Sequence, residues 1–272
     1  MPKTGITPTE AYHLFQQQAA RLLPEAGYTH MVPEIKQLEE LELLKPTLRY
    51  DRFIFVLDLH NMRLKHVYGL EKLLGYRDKE FTLLKFLQII HPAHFLTHNL
   101  SATAMIEGLM RGEWPVEFIK HRYITDICLV HANKTPYIFK RLGCPFQYDE
   151  KHRLLEYLNE FTLIDTYKEG TPYNIRALHQ DGSKKWEDDV KARINKAFSN
   201  QHLFSYREIQ VLRKFAYEGD ASALSISNQL GIEKSTVEKF NKRCLQKASE
   251  LFHVKFNTTK ELAAFLRSQQ LL

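Results

Sequence analysis

Between residues 234 and 247 the chain reads KSTVEKFNKRCLQK. Five cations, Lys234, Lys239, Lys242, Arg243 and Lys247, sit there beside Ser235, Thr236 and Gln246 on little more than one helix. Lysine and arginine donate to phosphate oxygens and to base edges, and hydroxyls and N–H groups in a helix's first turn add phosphate contacts. The chemistry these residue types support is recognition of a polyanion. At 100° per residue Val237, Phe240, Cys244 and Ala248 fall on one side with Leu245 at its margin, while Glu238, Lys239, Lys242, Arg243 and Gln246 occupy the opposite arc. A Lys-rich arc is often only the solvated face of a helix, so the neighbouring elements have to decide.

Two other groupings invite a chemical reading. His91, His94 and His98 recur at helical spacing, which would gather imidazoles for a metal or haem. No Cys or carboxylate completes the set nearby, and a cap with surface histidines is the commoner use. Asp58 ends the run FIFVLD as a phosphoacceptor would, but a receiver domain also needs an earlier acidic pair and a later lysine in an alternating βα chain, and residues 1–50 read as helices. There is no phosphate-cradling glycine motif, no G-x-S-x-G and no H-E-x-x-H, so no enzyme is expected and no cofactor is expected beyond an unidentified small ligand.

Formal net charge is +6, from 38 Lys and Arg against 32 Asp and Glu, and most of the excess lies in the last quarter, which favours an acidic partner there. Cys128, Cys144 and Cys244 lie far apart without a C-x-x-C pair, which supports neither a disulfide framework nor a zinc ribbon. The start MPKTGITPTEAYHLF has no apolar leader, and no stretch approaches 18 apolar residues. The expectation is a cytoplasmic protein without membrane association.

TPTE at residues 7–10 is a capping-box start for a helix to about Leu23. Ile35, Leu38, Leu41 and Leu44 mark a second amphipathic helix from Pro33. FIFVLDLHNMRLKHVYG reads as a hairpin turning at residues 59–61. LEKLLGYRDKEFTLLKFLQIIHP and AHFLTHNLSATAMIEGLMRGE return to helical spacing, and VEFIKHRYITDICLVHA, PYIFKRLGCPFQYDE and LLEYLNEFTLIDTYK are β-type runs. A further strand in YNIRALHQ, a turn at Asp181-Gly182 and a charged connector helix to about Phe198 follow. Ser205 with Glu208 then caps a helix stopped by Gly219, ASALSISNQLGI makes a second that ends at Gly231, and the basic helix is the third. Helix, glycine turn, helix is a helix-turn-helix order. In the tail, Thr258 with Glu261 opens a last helix with Leu262, Phe265 and Leu272 as an apolar stripe.

The elements REIQVL, Gly219, ISNQLGI, STVE and Lys247, over about residues 203–250, resemble the LuxR-type DNA-binding domain. The resemblance makes the third helix the recognition helix, gives Lys239, Lys242 and Arg243 the DNA-facing role, and implies pairing of protomers through the last helix. The chain departs from the family at Glu233, Glu238 and Phe240, and carries one extra residue between Gly219 and Ile226. The hairpin, the LLGY helix, the HP helix start and the three following strands, over roughly residues 50–165, resemble a PAS domain, which implies sensing of a small molecule, cofactor or partner. No cysteine stands in a flavin-adduct motif, so a flavin photosensor is not indicated.

The expected architecture is α+β: a helical lead-in (1–49), a PAS-like antiparallel sheet domain (50–183), a connector helix (184–200) and an all-α helix-turn-helix domain (201–272). The expected function is transcription regulation, with Lys234, Ser235, Thr236, Lys239, Lys242, Arg243, Gln246 and Lys247 contacting double-stranded DNA from a homodimer, under control of a ligand in the sheet domain. The alternative is a protein-docking module, which Glu233 and Glu238 favour slightly.

Overall fold

Thr7 accepts the Glu10 N–H and the Glu10 carboxylate accepts the Thr7 N–H, so helix α1 (Pro8–Leu22) begins on the box that the sequence spells out. This computed structural model describes residues 6–23, 28–48, 50–114, 116–178, 185–219 and 221–272. Helix α2 (Glu34–Leu44) buries only Leu41, and Ile35 and Leu38 remain 65% and 41% exposed. Half of its expected apolar stripe is therefore not spent on the chain's own core, while Leu44 packs beside Leu41.

The sheet has six antiparallel strands: β1 (Arg52–Asp58), β2 (Arg63–Tyr68), β3 (Arg122–Val130), β4 (Pro136–Tyr148), β5 (Leu154–Thr166) and β6 (Ile175–Leu178), in the order β2-β1-β5-β4-β3-β6. In the run VEFIKHRYITDICLVHA only the part from Arg122 is strand. The helical stretch after β2 is also broken. Gly75, at φ 73°, ends α3 (Leu70–Leu74), a 3-10 turn follows at Asp78–Glu80, and Thr82 caps α4 (Leu83–Ile89). Helix α5 (Pro92–Met110) is apolar on nearly every side and is buried on nearly every side. The connector is α6 (Lys185–Asn200); the expected turn at Asp181-Gly182 lies outside the described residues.

The helical end comprises α7 (Tyr206–Tyr217), α8 (Ala223–Leu230), α9 (Lys234–Phe252) and α10 (Thr259–Ser268). Helix α7 stops before Gly219, where Glu218 turns to extended backbone. The α+β architecture, an antiparallel sheet domain behind N-terminal helices and ahead of an all-helical region, is the one expected.

Strand alternation divides the core into two layers. Phe53 and Phe55 of β1 join Phe139, Phe161 and the α4–α5 side chains on the inner face, while Ile54 and Val56 join Cys144, Phe146 and Leu158 on the outer face under Leu41 of α2. The inner core does not stop at the connector. It continues through α5 and α6 to Leu212, Cys244, Ala248, Phe252 and Leu262, so the helical end and the sheet domain share one apolar interior. Among the described residues no helix is long and apolar enough to cross a membrane.

Candidate nucleic-acid interface and the polar cluster behind it

The three helices that carry the basic face are set by local rules. Ser205 and Glu208 close a reciprocal capping box on α7, and Ser222 caps α8. Gly231, at φ 62°, ends α8; a Cβ there would meet nothing within 4 Å, so the requirement is for left-handed backbone and not for space. Val237 then meets Val211 and Ile226 in a small core of its own, and Cys244 and Ala248 continue the buried side of α9.

That packing turns the expected arc outward. Lys239, Lys242 and Arg243 are exposed, and among the described residues no carboxylate pairs with them. Lys234 reaches Glu238 at 3.4 Å, Ser235 donates to Glu233 at 3.1 Å, and Gln246 donates to Glu250 at 3.2 Å, all on the exposed side, with Thr236 half-buried beside them.

Lys247 is placed differently. Its ammonium binds the Glu208 carboxylate at 2.7 Å, with Glu208 2% exposed, and lies over the Phe204 ring. The Ser205 N–H donates to the same carboxylate oxygen at 2.7 Å. Burial works to raise the Glu208 pKa, but Lys247 and Ser205 outweigh it and hold the carboxyl below its ordinary value. Lys247 thus ties α9 to α7. The departures at Glu233 and Glu238 have structural partners in Ser235 and Lys234, respectively.

The far end of α9 meets the sheet domain. It packs against α5, and His253, just past its last residue, lies close enough to His91 at the head of α5 to add to the burial that lowers the His91 pKa. The stripe of the last helix is spent at home. Leu262, Phe265 and Leu272 are buried as α10 packs on α7 and α9, Arg267 donates to the Ala216 carbonyl, and the Tyr217 hydroxyl donates to the Leu272 carbonyl. A protomer contact through this stripe is therefore not available in the conformation described.

His94 and His98 lie inside, not on the surface, and His91 is the half-buried cap. His91 caps α5 through the Ala93 N–H. His94 accepts the Cys128 N–H at Nδ1, 3.0 Å, which leaves Nε2 to carry the proton and donate to the Thr171 carbonyl at 2.8 Å. Burial lowers its pKa to about 4. His98 is pushed well below its ordinary value by burial first and by the Arg141 charge second. Among the described residues no three His, Cys, Asp or Glu side chains gather as a metal set. Asp58 serves the hairpin: it accepts from the Asn61 backbone and amide and pairs with Lys65 at 3.0 Å, and these contacts outweigh its burial and keep the carboxyl below its usual range.

A second polar grouping, not anticipated from the sequence, lies on the inner face of the sheet. Arg141 of β4 is 5% exposed, and its Nε and Nη2 both donate to Asn159 Oδ1, at 2.8 and 2.7 Å. Thr125 stands directly across on β3, and Tyr123 two residues along faces Gly143. From α5 and the segment before β6, His98 Nδ1 and Ser101 Oγ approach the Tyr173 hydroxyl at 3.0 and 3.3 Å. The signal was legible in principle, because period-2 alternation along FKRLG puts Arg141 on the same face as Phe139 and Gly143.

No protein-family model matches the chain, and no curated protein matches it in sequence. Solved structures are similar to it in fold, at low identity. VqmA of Vibrio cholerae in a complex with ligand and DNA is 14% identical over 86% of this chain and 89% of that one, with a TM-score of 0.32. The phage VqmA-DPO complex is 13% identical over 86% and 89%, with a TM-score of 0.29. SdiA in complex with octanoyl-rac-glycerol is 14% identical over 97% of each chain, with a TM-score of 0.24. Likenesses at these values assign no residue a role, and the roles below rest on the chain's own geometry.

Proposed function

We propose that this chain is a DNA-binding transcription regulator whose sheet domain senses a small molecule and thereby alters how α9 meets DNA. One observation carries the reading. Lys239, Lys242 and Arg243 stand exposed and unpaired among the described residues on the front of α9, while the same helix packs against α5 of the sheet domain. A basic helix held by two others in helix-turn-helix order suits a major groove, with arginine on base edges and lysine on phosphates. Occupancy of the sheet domain then shifts the population of α9 placements, because α5 lies in the one apolar interior that the sheet domain and α9 share. Two copies on a two-fold site would double the contacts, with the pairing surface outside the buried α10 stripe. We assign the chain no reaction.

Selection from a random duplex pool at low and moderate salt tests this reading. The expected result is an enriched motif whose affinity falls with salt, with Lys242→Ala and Arg243→Ala weakening it and each phosphate contact contributing roughly 0.9 to the log–log slope. Failure to bind any duplex at either salt makes protein docking, with Glu233 and Glu238 as part of the surface, the better account.

A further inference from the structure

We propose that the inner face of the sheet domain around Arg141 is a binding site for a small organic carboxylate. The inference rests on the reading of this domain as a sensor and names the class of ligand.

Arg141 stands apart from the other buried ionic groups in how it is compensated. Asp58 is held by Lys65, Asp149 by Arg153 at 2.5 Å and Glu208 by Lys247. Arg141 is equally buried, yet among the described residues no carboxylate lies within ion-pair distance of it. Its two hydrogen bonds of normal geometry go to one neutral amide oxygen, and the Tyr173 hydroxyl is its other polar neighbour. A guanidinium taken out of water without an anion carries a large desolvation cost, which is normally recovered by a counter-charge.

The groups around it are donors in want of acceptors. The Tyr123 hydroxyl and Thr125 Oγ1 are fully buried and make no hydrogen bond of normal geometry, although Ser101 and Tyr173 lie close by. Tyr157 and His98 feel the Arg141 charge, and His98 is held neutral by burial, so the cluster contains one positive charge. That balance selects the ligand. A single carboxylate matches one guanidinium in charge and in its forked geometry, and the free hydroxyls complete its oxygens. A phosphate dianion would leave a negative charge uncompensated in the same dry site. Beside the cluster, Phe53, Phe139 and Phe161 are stacked or edge-on to one another, a wall for the apolar body of such an acid.

The segment that closes the site also touches the helical end. Tyr173 belongs to the strap between β5 and β6, which is tied to α5 by His94 on Thr171 and by Tyr167 against His91. Gly170 and Pro172 of that strap line a groove with Val254, Phe256 and Phe265 of the helical end. A carboxylate seated on Arg141 takes the place the Tyr173 hydroxyl now holds and displaces the strap against α10.

The test uses the full chain without DNA, so that it stands or falls apart from the DNA reading. Thermal melting and calorimetric titration are run with acetate, butyrate and benzoate and with the matching acetamide, butyramide and benzamide. At least one acid is expected to raise Tm on the order of 5 °C at a hundredfold excess over Kd, with no shift from its amide. Arg141→Met removes the charge at similar length, and this variant is expected to fold and to lose the shift. Equal effects of acid and amide, no response to any acid, or undiminished binding by a folded Arg141→Met overturns the proposal. If Arg141→Met does not fold, the acid–amide pairs on the unaltered chain decide alone. Carboxylate binding with no effect on DNA affinity sustains this site and removes the regulatory coupling instead.

Discussion

In the helical domain the buried carboxylate of Glu208 receives the Ser205 N–H and the Lys247 ammonium, while in the sheet domain the buried guanidinium of Arg141 shares a single amide oxygen and meets no anion among the described residues. The first arrangement is complete, and each part would be stranded by loss of the other. The second is incomplete, and it costs stability as it stands. One domain has spent its buried charge on holding helices together. The other has kept its charge available, beside the buried hydroxyls of Tyr123 and Thr125 and the imidazole of His98.

Acid should separate the two regions most strongly. The folded pKa of His94 is depressed to about 4 from an ordinary 6.5, and that of His98 is depressed as well, so below about pH 6.5 the unfolded chain takes protons that the folded sheet domain refuses. Stability is therefore full above that pH and is lost as pH falls toward 4, by about 3 kcal/mol from His94 alone. Glu208 is depressed from the carboxylate range, so its contribution is present above about pH 4.5 and is lost only below it. Amide exchange at pH 7 and pH 5 should show β3 and β4 losing protection while α7 and α9 keep theirs. Equal losses would break the comparison.

Lys247→Ala comes next. It leaves the Glu208 carboxylate buried without its cation and should cost about 1–3 kcal/mol by denaturant unfolding, with part restored when Glu208→Gln is added. DNA affinity of the folded variant should be unchanged; a fall in affinity without a fall in stability would place Lys247 on the DNA side after all. Smallest are Lys242→Ala and Arg243→Ala, each expected to weaken duplex binding by about 1 kcal/mol, roughly fivefold, while changing stability by less than about 0.5 kcal/mol.

Much of this was readable in the chain because the signals are local. Thr7 with Glu10, Ser205 with Glu208, and Gly231 after an apolar run each specify a helix end within four residues, and the structure has those ends. The outward arc of α9 followed from the spacing of Val237, Cys244 and Ala248 alone. What was missed depends on distant partners. Nothing near Lys247 in sequence announces Glu208, 39 residues away, and the tail stripe could pack at home or on a second copy with the same pattern. His94 and His98 read as surface residues because the strap that buries them, at Thr171 and Tyr173, lies more than 70 residues on. The run after β2 reads as continuous because apolar spacing outlasts the single left-handed glycine at position 75 that interrupts it.

The three cysteines give the molecule its own timers. Burial raises each thiol to about 12, so each stays protonated and slow to react at neutral pH while the chain is closed. Cys128 sits in β3, Cys144 in β4 and Cys244 in α9. Pulsed alkylation read by mass therefore reports, in one experiment, how often the sheet opens and how often the basic helix lifts from its bed, and whether the two ever do so apart.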